Sequence, residues 1–439
     1  MAKKQAPHRD LLDKIQGRHA RIGVIGLGYV GLPLAVGFAE AGFRVTGIDV
    51  DARKVAALKA GKNYIPDISD ALVKDLVKRK LLSATDDFRA AKELDAVSIC
   101  VPTPLRKSRD PDISYIVHAT AELKKTLHRG QLIVLESTTY PGTTEEILLP
   151  ELSSTGLKVG KDFFLAFSPE RIDPGNARFG LKNTPKIVGG ITAACAEASA
   201  ALYRQVSDKV LTVSSSASAE MVKLLENTFR AVNIGLVNEI AQICDKLKID
   251  AWEVIEAAAS KPFGFMPFFP GPGLGGHCIP IDPHYLSWKL RSMNYTTRFI
   301  ELASEVNHEM PDYVFQKIQA ALNERKKSVK DAKILLLGVA YKKNVSDVRE
   351  SPAYDLARLL NGAGAKLSYS DPHVPTWATD WGDYRSQKLT PKLLKANDCT
   401  VIVTDHQAFD YRQIVSSANL IVDTRNATKG QPSKKIVKL

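Results

Sequence analysis

Near the start of the chain, Gly26-Leu-Gly28-Tyr-Val-Gly31 joins an apolar run, Arg21-Ile-Gly-Val-Ile, to a short helical pattern, Leu32-Pro-Leu-Ala-Val-Gly-Phe-Ala-Glu. Few structures need three glycines at this spacing between a strand and a helix. The first makes the tight turn, the second lets backbone approach a pyrophosphate, and the third lets the helix pack on the strand. The helix N-terminus then offers its N–H groups and dipole to the phosphates. A second strand, Arg44-Val-Thr-Gly-Ile, runs to Asp49. A carboxylate there accepts the ribose hydroxyls of an adenosine and repels a 2′-phosphate, which favours NAD over NADP. Lys54 works weakly against that preference. The bland alternative, a purely structural glycine turn, accounts for less of this context.

Further strands are expected at residues 96–101, 131–135 and 163–167, with helical patterns between several of them. That alternation predicts a parallel, doubly wound sheet. From residue 217 the pattern changes to helices. Residues 220–245 contain no proline, and their apolar positions recur at helical spacing. A loop dense in Pro and Gly follows at 261–276, then a helix at 297–324 and the charged linker Arg325-Lys-Lys-Ser-Val-Lys-Asp. Lys333-Ile-Leu-Leu-Leu-Gly opens a second α/β unit, with later strands expected at 366–369, 399–403 and 420–422. After its first strand stands Gly338-Val-Ala-Tyr341 with no glycine fingerprint, so a dinucleotide is not expected there. The chain is α/β: two Rossmann-like doubly wound domains, 1–205 and 326–439, joined by a helical middle, 206–325. A length of 439 residues allows that many domains, at roughly 100–200 residues each.

A formal charge of +12 suits either a solvated basic surface or attraction for phosphorylated ligands. The basic residues form no long run or nucleic-acid reader motif, so no nucleic acid is expected. No apolar run reaches the ~18 residues that span a bilayer. The basic leader Met1-Ala-Lys-Lys-Gln-Ala-Pro-His lacks the apolar stretch of a secretory signal. The five cysteines are scattered and odd in number, and a reducing cytoplasm is the simplest setting.

Two further patterns bear on chemistry. Lys223, Asn227 and Arg230 share one face of a helix, among core-like Met221, Val222, Leu224, Leu225, Phe229 and Val232. That stripe is either a solvated face or a cationic wall able to stabilise an oxyanion. Gly275-Gly-His277-Cys278-Ile-Pro-Ile-Asp282-Pro-His284 is the second. A lone Cys is normally a small buried hydrophobe. Cys278, however, follows two glycines and precedes an expected helix start, where a thiol ionises more readily. If the helix begins after His277, Asp282 lies one turn on, on the face of Cys278. His277, Cys278, Asp282 and His284 are all metal-ligand types, but the adjacent pair and the prolines fit no usual zinc spacing, so no metal is expected. A dinucleotide fold with a nucleophilic Cys suits oxidation of an alcohol through aldehyde and thioester to a carboxylate. A two-electron hydroxyacid dehydrogenase and a non-catalytic nucleotide sensor are the competing readings.

At this point the sequence resembles the nucleotide-sugar 6-dehydrogenases, the UDP-glucose/GDP-mannose dehydrogenase family, from Gly23 to Arg425. The resemblance rests on residues 26–33, Val101-Pro-Thr-Pro, Glu136-Ser-Thr138, Ser168-Pro-Glu170-Arg-Ile, Lys223-Leu-Leu-Glu-Asn227-Thr-Phe-Arg230, Gly275-Gly-His-Cys278, Gly338-Val-Ala-Tyr-Lys342, Arg349-Glu-Ser-Pro and Asp423-Thr-Arg425. It implies that Cys278 is the nucleophile, that Lys223 and Asn227 hold the oxygen on C6, that Glu170 is a general acid/base with a water near Thr138, and that Asp282 positions water. Gly26, Gly28, Val30, Gly31, Asp49, Lys54, Thr103, Thr138 and Arg349 match cofactor positions. Lys223, Asn227, Arg171, Ile172, Arg230, Gly275, Tyr341, Lys342 and Arg425 match nucleotide-sugar positions. The resemblance further implies NAD as cofactor, two per sugar, a homodimer or higher oligomer built on the helical middle, and a UDP-sugar-holding C-terminal domain. Residues 261–283 are most similar to those of UDP-N-acetylglucosamine 6-dehydrogenases. They lack the Arg that UDP-glucose enzymes carry upstream of the nucleophile.

Overall fold

The computed structural model describes residues 6–65, 68–106, 110–172, 178–276 and 278–439. The chain divides into two compact units, Met1–Glu226 with His284–Asn294, and Asn227–Pro283 with Tyr295–Leu439.

The first unit is built on an eight-stranded sheet. Its strands are β1 (Arg21–Ile25), β2 (Arg44–Ile48), β3 (Leu82–Thr85), β4 (Ala96–Ile99), β5 (Leu132–Leu135), β6 (Phe164–Phe167), β7 (Lys186–Gly190) and β8 (Val210–Val213), in the order β3-β2-β1-β4-β5-β6-β7-β8. Pairing is parallel throughout except between β6 and β7. Strands β4, β5 and β6 are buried at every position. They read as continuous apolar runs because helices cover both faces of such a sheet. Alternation still decides where each side chain goes. Leu132 and Val134 of β5 join one core with Ile22, Leu34 and Phe38, whereas Ile133 and Leu135 join the opposite core with Val97 and Ile99. The strands expected at 96–101, 131–135 and 163–167 are each present with slightly shorter bounds. Strands β3, β7 and β8 were not expected: Leu-Ser-Ala-Thr, Lys-Ile-Val-Gly-Gly and Val-Leu-Thr-Val lack the unbroken apolar run that marks β4, β5 and β6.

The second unit holds a five-stranded all-parallel sheet of β9 (Lys333–Leu337), β10 (Lys366–Ser370), β13 (Cys399–Ile402), β14 (Ile421–Asp423) and β15 (Ile436–Lys438), ordered β10-β9-β13-β14-β15. A hairpin of β11 (Thr376–Thr379) and β12 (Gly382–Arg385) lies in sequence between β10 and β13. Again Ile334 and Leu336 face one core while Leu335 and Leu337 face the other. A 32-residue helix, Ser216–Leu247, extends the expected segment at both ends. The helix Arg298–Asn323 matches the expectation for 297–324 closely. Among the described residues no helix is long and apolar enough to cross a membrane.

The helix after the Gly-Gly pair differs from its expectation. It runs Asp282–Arg291 and does not include Cys278. Pro283 has no N–H to give to the carbonyl of residue 279, four residues before it, and its ring crowds that carbonyl, so the helix does not run back to residue 278.

Candidate active site

The glycine turn follows β1 as its spacing requires. Gly26 has φ +88°, and a Cβ there would lie 2.5 Å from the Cys100 carbonyl oxygen. A Cβ on Gly31 would lie 1.8 Å from the Gly26 carbonyl oxygen, which is how the third glycine closes the helix onto the turn. A Cβ on Gly28 would meet nothing within 4 Å. The helix Gly31–Glu40 starts after Val30 with no side-chain cap, so the first-turn N–H groups have no side-chain acceptor there. Asp49, buried at the end of β2, accepts from Leu27 N–H at 2.7 Å through Oδ2 and from Asp51 N–H at 2.8 Å through Oδ1. Lys54 Nζ stands 3.1 Å from the same Oδ2. The open approach at Gly28, the uncapped helix start and the carboxylate on the neighbouring strand fit a dinucleotide with free ribose hydroxyls. Lys54 offsets part of the Asp49 charge. Thr138 is half-buried beyond β5. Thr103, half-buried beyond β4, gives its carbonyl to Tyr285 Oη at 2.6 Å.

Farther across the same sheet, beyond β4, the ends of β5 and β6 carry a buried acid pair. Glu136 follows β5, and Glu170 lies three residues past β6. The reversed strand β7 begins at Lys186, so its first residue lies at the edge where the parallel strands end. Lys186 Nζ donates to Glu136 Oε2 at 2.6 Å and to Glu170 Oε2 at 3.2 Å. Tyr203 Oη donates to Glu136 Oε1. Glu170 Oε1 accepts from Arg171 N–H at 2.8 Å and Ile172 N–H at 2.6 Å. Burial pushes the Glu170 carboxyl up, but Lys186, the Ile172 N–H and the charge of Lys223 outweigh it and hold the group below its usual range. Burial pushes Glu136 up, and there it prevails over the pull of Lys186. Lys223 is therefore a neighbour of Glu170 in charge, half-buried on the long helix. Arg171 is committed elsewhere: Nη2 donates to Glu226 Oε1 at 2.5 Å and Nη1 to the Pro185 carbonyl at 2.6 Å.

In the second unit, Asn227 Nδ2 donates to Asp282 Oδ2, and the Asp282 N–H donates to the Cys278 carbonyl at 2.8 Å. A single turn of backbone thus ties Cys278 to Asp282, and Asn227 joins them. Both Asn227 and Asp282 are buried, and Cys278 is half-buried. His277 lies outside the described residues. Gly276 has φ +88°, and Cβ atoms on Gly275 and Gly276 would each fall 2.7 Å from Tyr341, the first from its Cβ and the second from its ring. The Gly276 N–H donates to the Arg349 carbonyl at 3.2 Å. The Arg349 side chain is held by Asp347 at 2.6–3.1 Å. Arg425 lies against Gly271 and donates Nε–H to the Val403 carbonyl at 2.9 Å. Lys342 is half-buried, and Arg230 is exposed on the long helix.

The turn that carries Tyr341 and Lys342 is pinned from β10. Asp371 Oδ2 accepts from Val339 N–H at 2.7 Å and Ala340 N–H at 3.2 Å, and lies 3.0 Å from His406 Nε2. His406 Nδ1 accepts from Asn344 N–H at 2.9 Å, so His406 donates to Asp371 as a neutral ring. Burial raises the Asp371 carboxyl, but His406 and the backbone N–H groups hold it below 3.8. Asp371→Ala is expected to cost about 3 kcal/mol of stability, because it strips a buried group from several donors at once. Because the folded pKa is depressed, the charge-linked part of that contribution is complete above about pH 5 and fades as acid protonates the folded carboxyl. The gap between wild-type and variant denaturant midpoints should therefore narrow as the pH falls below about 4.

The residues sequence reading missed are Lys186, Glu136 as an ion-pair partner, and Tyr203. Their only signal was a lysine opening an otherwise apolar segment and a glutamate closing another.

Comparison with known proteins agrees with this construction. Residues 20–207 match the UDP-glucose/GDP-mannose dehydrogenase family NAD binding domain, 217–309 its central domain, and 335–430 its UDP binding domain. A UDP-N-acetyl-D-mannosamine dehydrogenase of Methanococcus maripaludis is 37% identical over 89% of this chain and 87% of its own. A UDP-N-acetyl-D-glucosamine 6-dehydrogenase of Salmonella typhi is also 37% identical, over 89% and 90%. The solved UDP-D-ManNAc dehydrogenase of Pyrococcus horikoshii superposes with a TM-score of 0.86 at 33% identity, covering 95% of this chain and 98% of that one. Fold, glycine turn and homology together place the chain in the UDP-glucose/GDP-mannose dehydrogenase family of NAD-dependent nucleotide-sugar dehydrogenases.

Proposed function

We propose that the protein oxidises C6 of UDP-N-acetylglucosamine to the uronic acid, a four-electron reaction that supplies surface polysaccharide. The observation that carries the covalent part is Cys278 tied by one backbone turn to Asp282, with Asn227 hydrogen-bonded to that carboxylate. Bound NAD supplies the hydride acceptor, two equivalents per sugar. In the first half the C6 hydroxyl gives up its proton towards Glu170, whose ionised form suits a base, and the carbon loses a hydride to become an aldehyde. The Cys278 thiolate then adds to that carbonyl. Lys223 and the Asn227 amide stabilise the oxygen charge in the thiohemiacetal. Loss of a second hydride leaves a thioester. Water positioned by Asp282, with Thr138 and Glu170 as proton partners, cleaves it to the carboxylate and returns the thiol.

Arg171, Ile172, Arg230, Gly275, Tyr341, Lys342 and Arg425 are assigned to the nucleotide sugar, and Arg349 and Thr103 to the cofactor. In this reading residues 1–205 bind NAD, 206–325 form the dimerisation middle and 326–439 hold the UDP-sugar, in a cytoplasmic homodimer or higher oligomer. Exposed Leu236, Ile243 and Leu247, at helical spacing on the long helix, support an apolar face for a second copy. The relatives named for UDP-N-acetyl-D-mannosamine support that sugar as a second reading.

An NADH-formation screen over UDP-glucose, the UDP-N-acetylhexosamines and GDP-mannose tests both readings. Preferred turnover of UDP-N-acetylglucosamine with two NADH per sugar is expected. One NADH per sugar, with free aldehyde accumulating, refutes the thioester route.

A further inference from the structure

We propose that Lys186 is a positioning residue for Glu170, holding its carboxylate at the strand edge while Glu136 and Tyr203 fix the ammonium from behind. The inference rests on the reading of Glu170 as the general acid/base. Three features of the first unit carry it.

Lys186 is 3% exposed, and its ammonium is shared between two carboxylates contributed by different strand ends. A buried cation of this kind is costly unless paired, and here both of its partners are themselves buried. The ammonium also lies 5.1 Å from the centre of the Tyr203 ring, so its place is determined on several sides. Glu170, for its part, spends Oε1 on two backbone N–H groups and Oε2 on Lys186. Those bonds leave the carboxylate little rotational freedom. The charged and titratable groups facing this cluster are Cys100 after β4, Glu136 after β5, Tyr203 on the helix Ala193–Tyr203, and Lys223 on the long helix, while the Arg171 guanidinium is turned to Glu226. Lys186, Glu136 and Glu170 carry one positive and two negative charges. Without the ammonium, burial would dominate, and Glu170 would take up a proton at a higher pH than it does now.

The test compares Lys186→Met/Glu136→Gln, Lys186→Arg, Glu136→Gln and Glu170→Gln in the full-length protein. The double variant removes one charge of each sign, so the net buried charge is unchanged and Tyr203 still has a carbonyl oxygen to bond. It is expected to lose about 10²-fold in kcat at neutral pH, a share of what a positioned acid/base contributes. Its NAD affinity, read by fluorescence titration, should not change. The acid limb of its kcat/KM profile should move to higher pH, so that alkali restores part of the rate. A ¹³C-carboxyl titration of the substrate-free protein should show the Glu170 carbon moving with it. Lys186→Arg should restore most of kcat. Glu136→Gln alone leaves the ammonium to Glu170 and should move the acid limb to lower pH, which decides the matter even if the double variant does not fold. An unmoved acid limb in the double variant, or in Glu136→Gln where the double variant does not fold, overturns the inference while leaving Glu170 in its role, provided Glu170→Gln is slow. Full activity in Glu170→Gln overturns both.

Discussion

Cys278→Ser is expected to slow nucleotide-sugar oxidation by at least about 10³-fold while NAD binding stays intact. The thiol is the weaker base and the better nucleophile: a free cysteine ionises near pH 8.5, whereas a serine hydroxyl remains protonated throughout the range in which the protein is folded. The substitution is close to isosteric, and the contact that ties residue 278 to Asp282 runs through the backbone carbonyl. Local structure should survive, and a fall in activity then reports chemistry. Thermal unfolding and NAD titration of the variant should match wild type, with NADH formation stopping near the level of a partial turnover. Undiminished steady-state turnover would show that position 278 is not the nucleophile.

The second large effect separates two glycines that look alike in sequence. Gly28→Ala puts a methyl group where nothing lies within 4 Å, at a residue outside the left-handed backbone region. The fold should be indifferent to it, so the melting temperature is expected to hold while NAD affinity falls about 10–100-fold, because the methyl occupies the line of approach of the pyrophosphate. Gly31→Ala forces a Cβ to within 1.8 Å of the Gly26 carbonyl oxygen, and the backbone must move. That displacement costs about 1–3 kcal/mol of stability and distorts the turn that meets the cofactor, so both melting temperature and NAD affinity should drop. Calorimetry alongside NAD titration distinguishes the two. Equal stability losses in both variants would contradict the assignment of Gly28 as the approach glycine.

The two halves of the chain solve one problem in different ways. In each, an acid just past a neighbouring strand accepts an N–H from the turn after the first strand: Asp49 from Leu27, and Asp371 from Val339. Asp49 stands across from a turn built on three glycines and pairs with Lys54. Asp371 is instead saturated by four backbone N–H groups and His406, which suits a structural tie. The absence of a second glycine fingerprint was plain in the sequence. The substitute for it was not, because His406 and Asp371 are 35 residues apart and carry no joint pattern.

What the sequence alone determined is what short stretches of backbone decide for themselves. Glycines at 26, 28 and 31 are required by one turn and the close packing behind it, strands buried on both faces read as unbroken apolar runs, and a long helix shows its period without reference to anything else. The helix after Cys278 was misplaced by one turn because Pro283 removes a backbone hydrogen bond that a longer helix would need, which apolar periodicity does not record. Only the tertiary structure decided the polar pairings. Lys186 meets Glu136 across 50 residues and Asn227 meets Asp282 across 55. Such pairs form only after strand order, the reversal of β7 and helix placement bring distant residues together, and the charge that a buried carboxyl carries depends on which neighbours that assembly supplies.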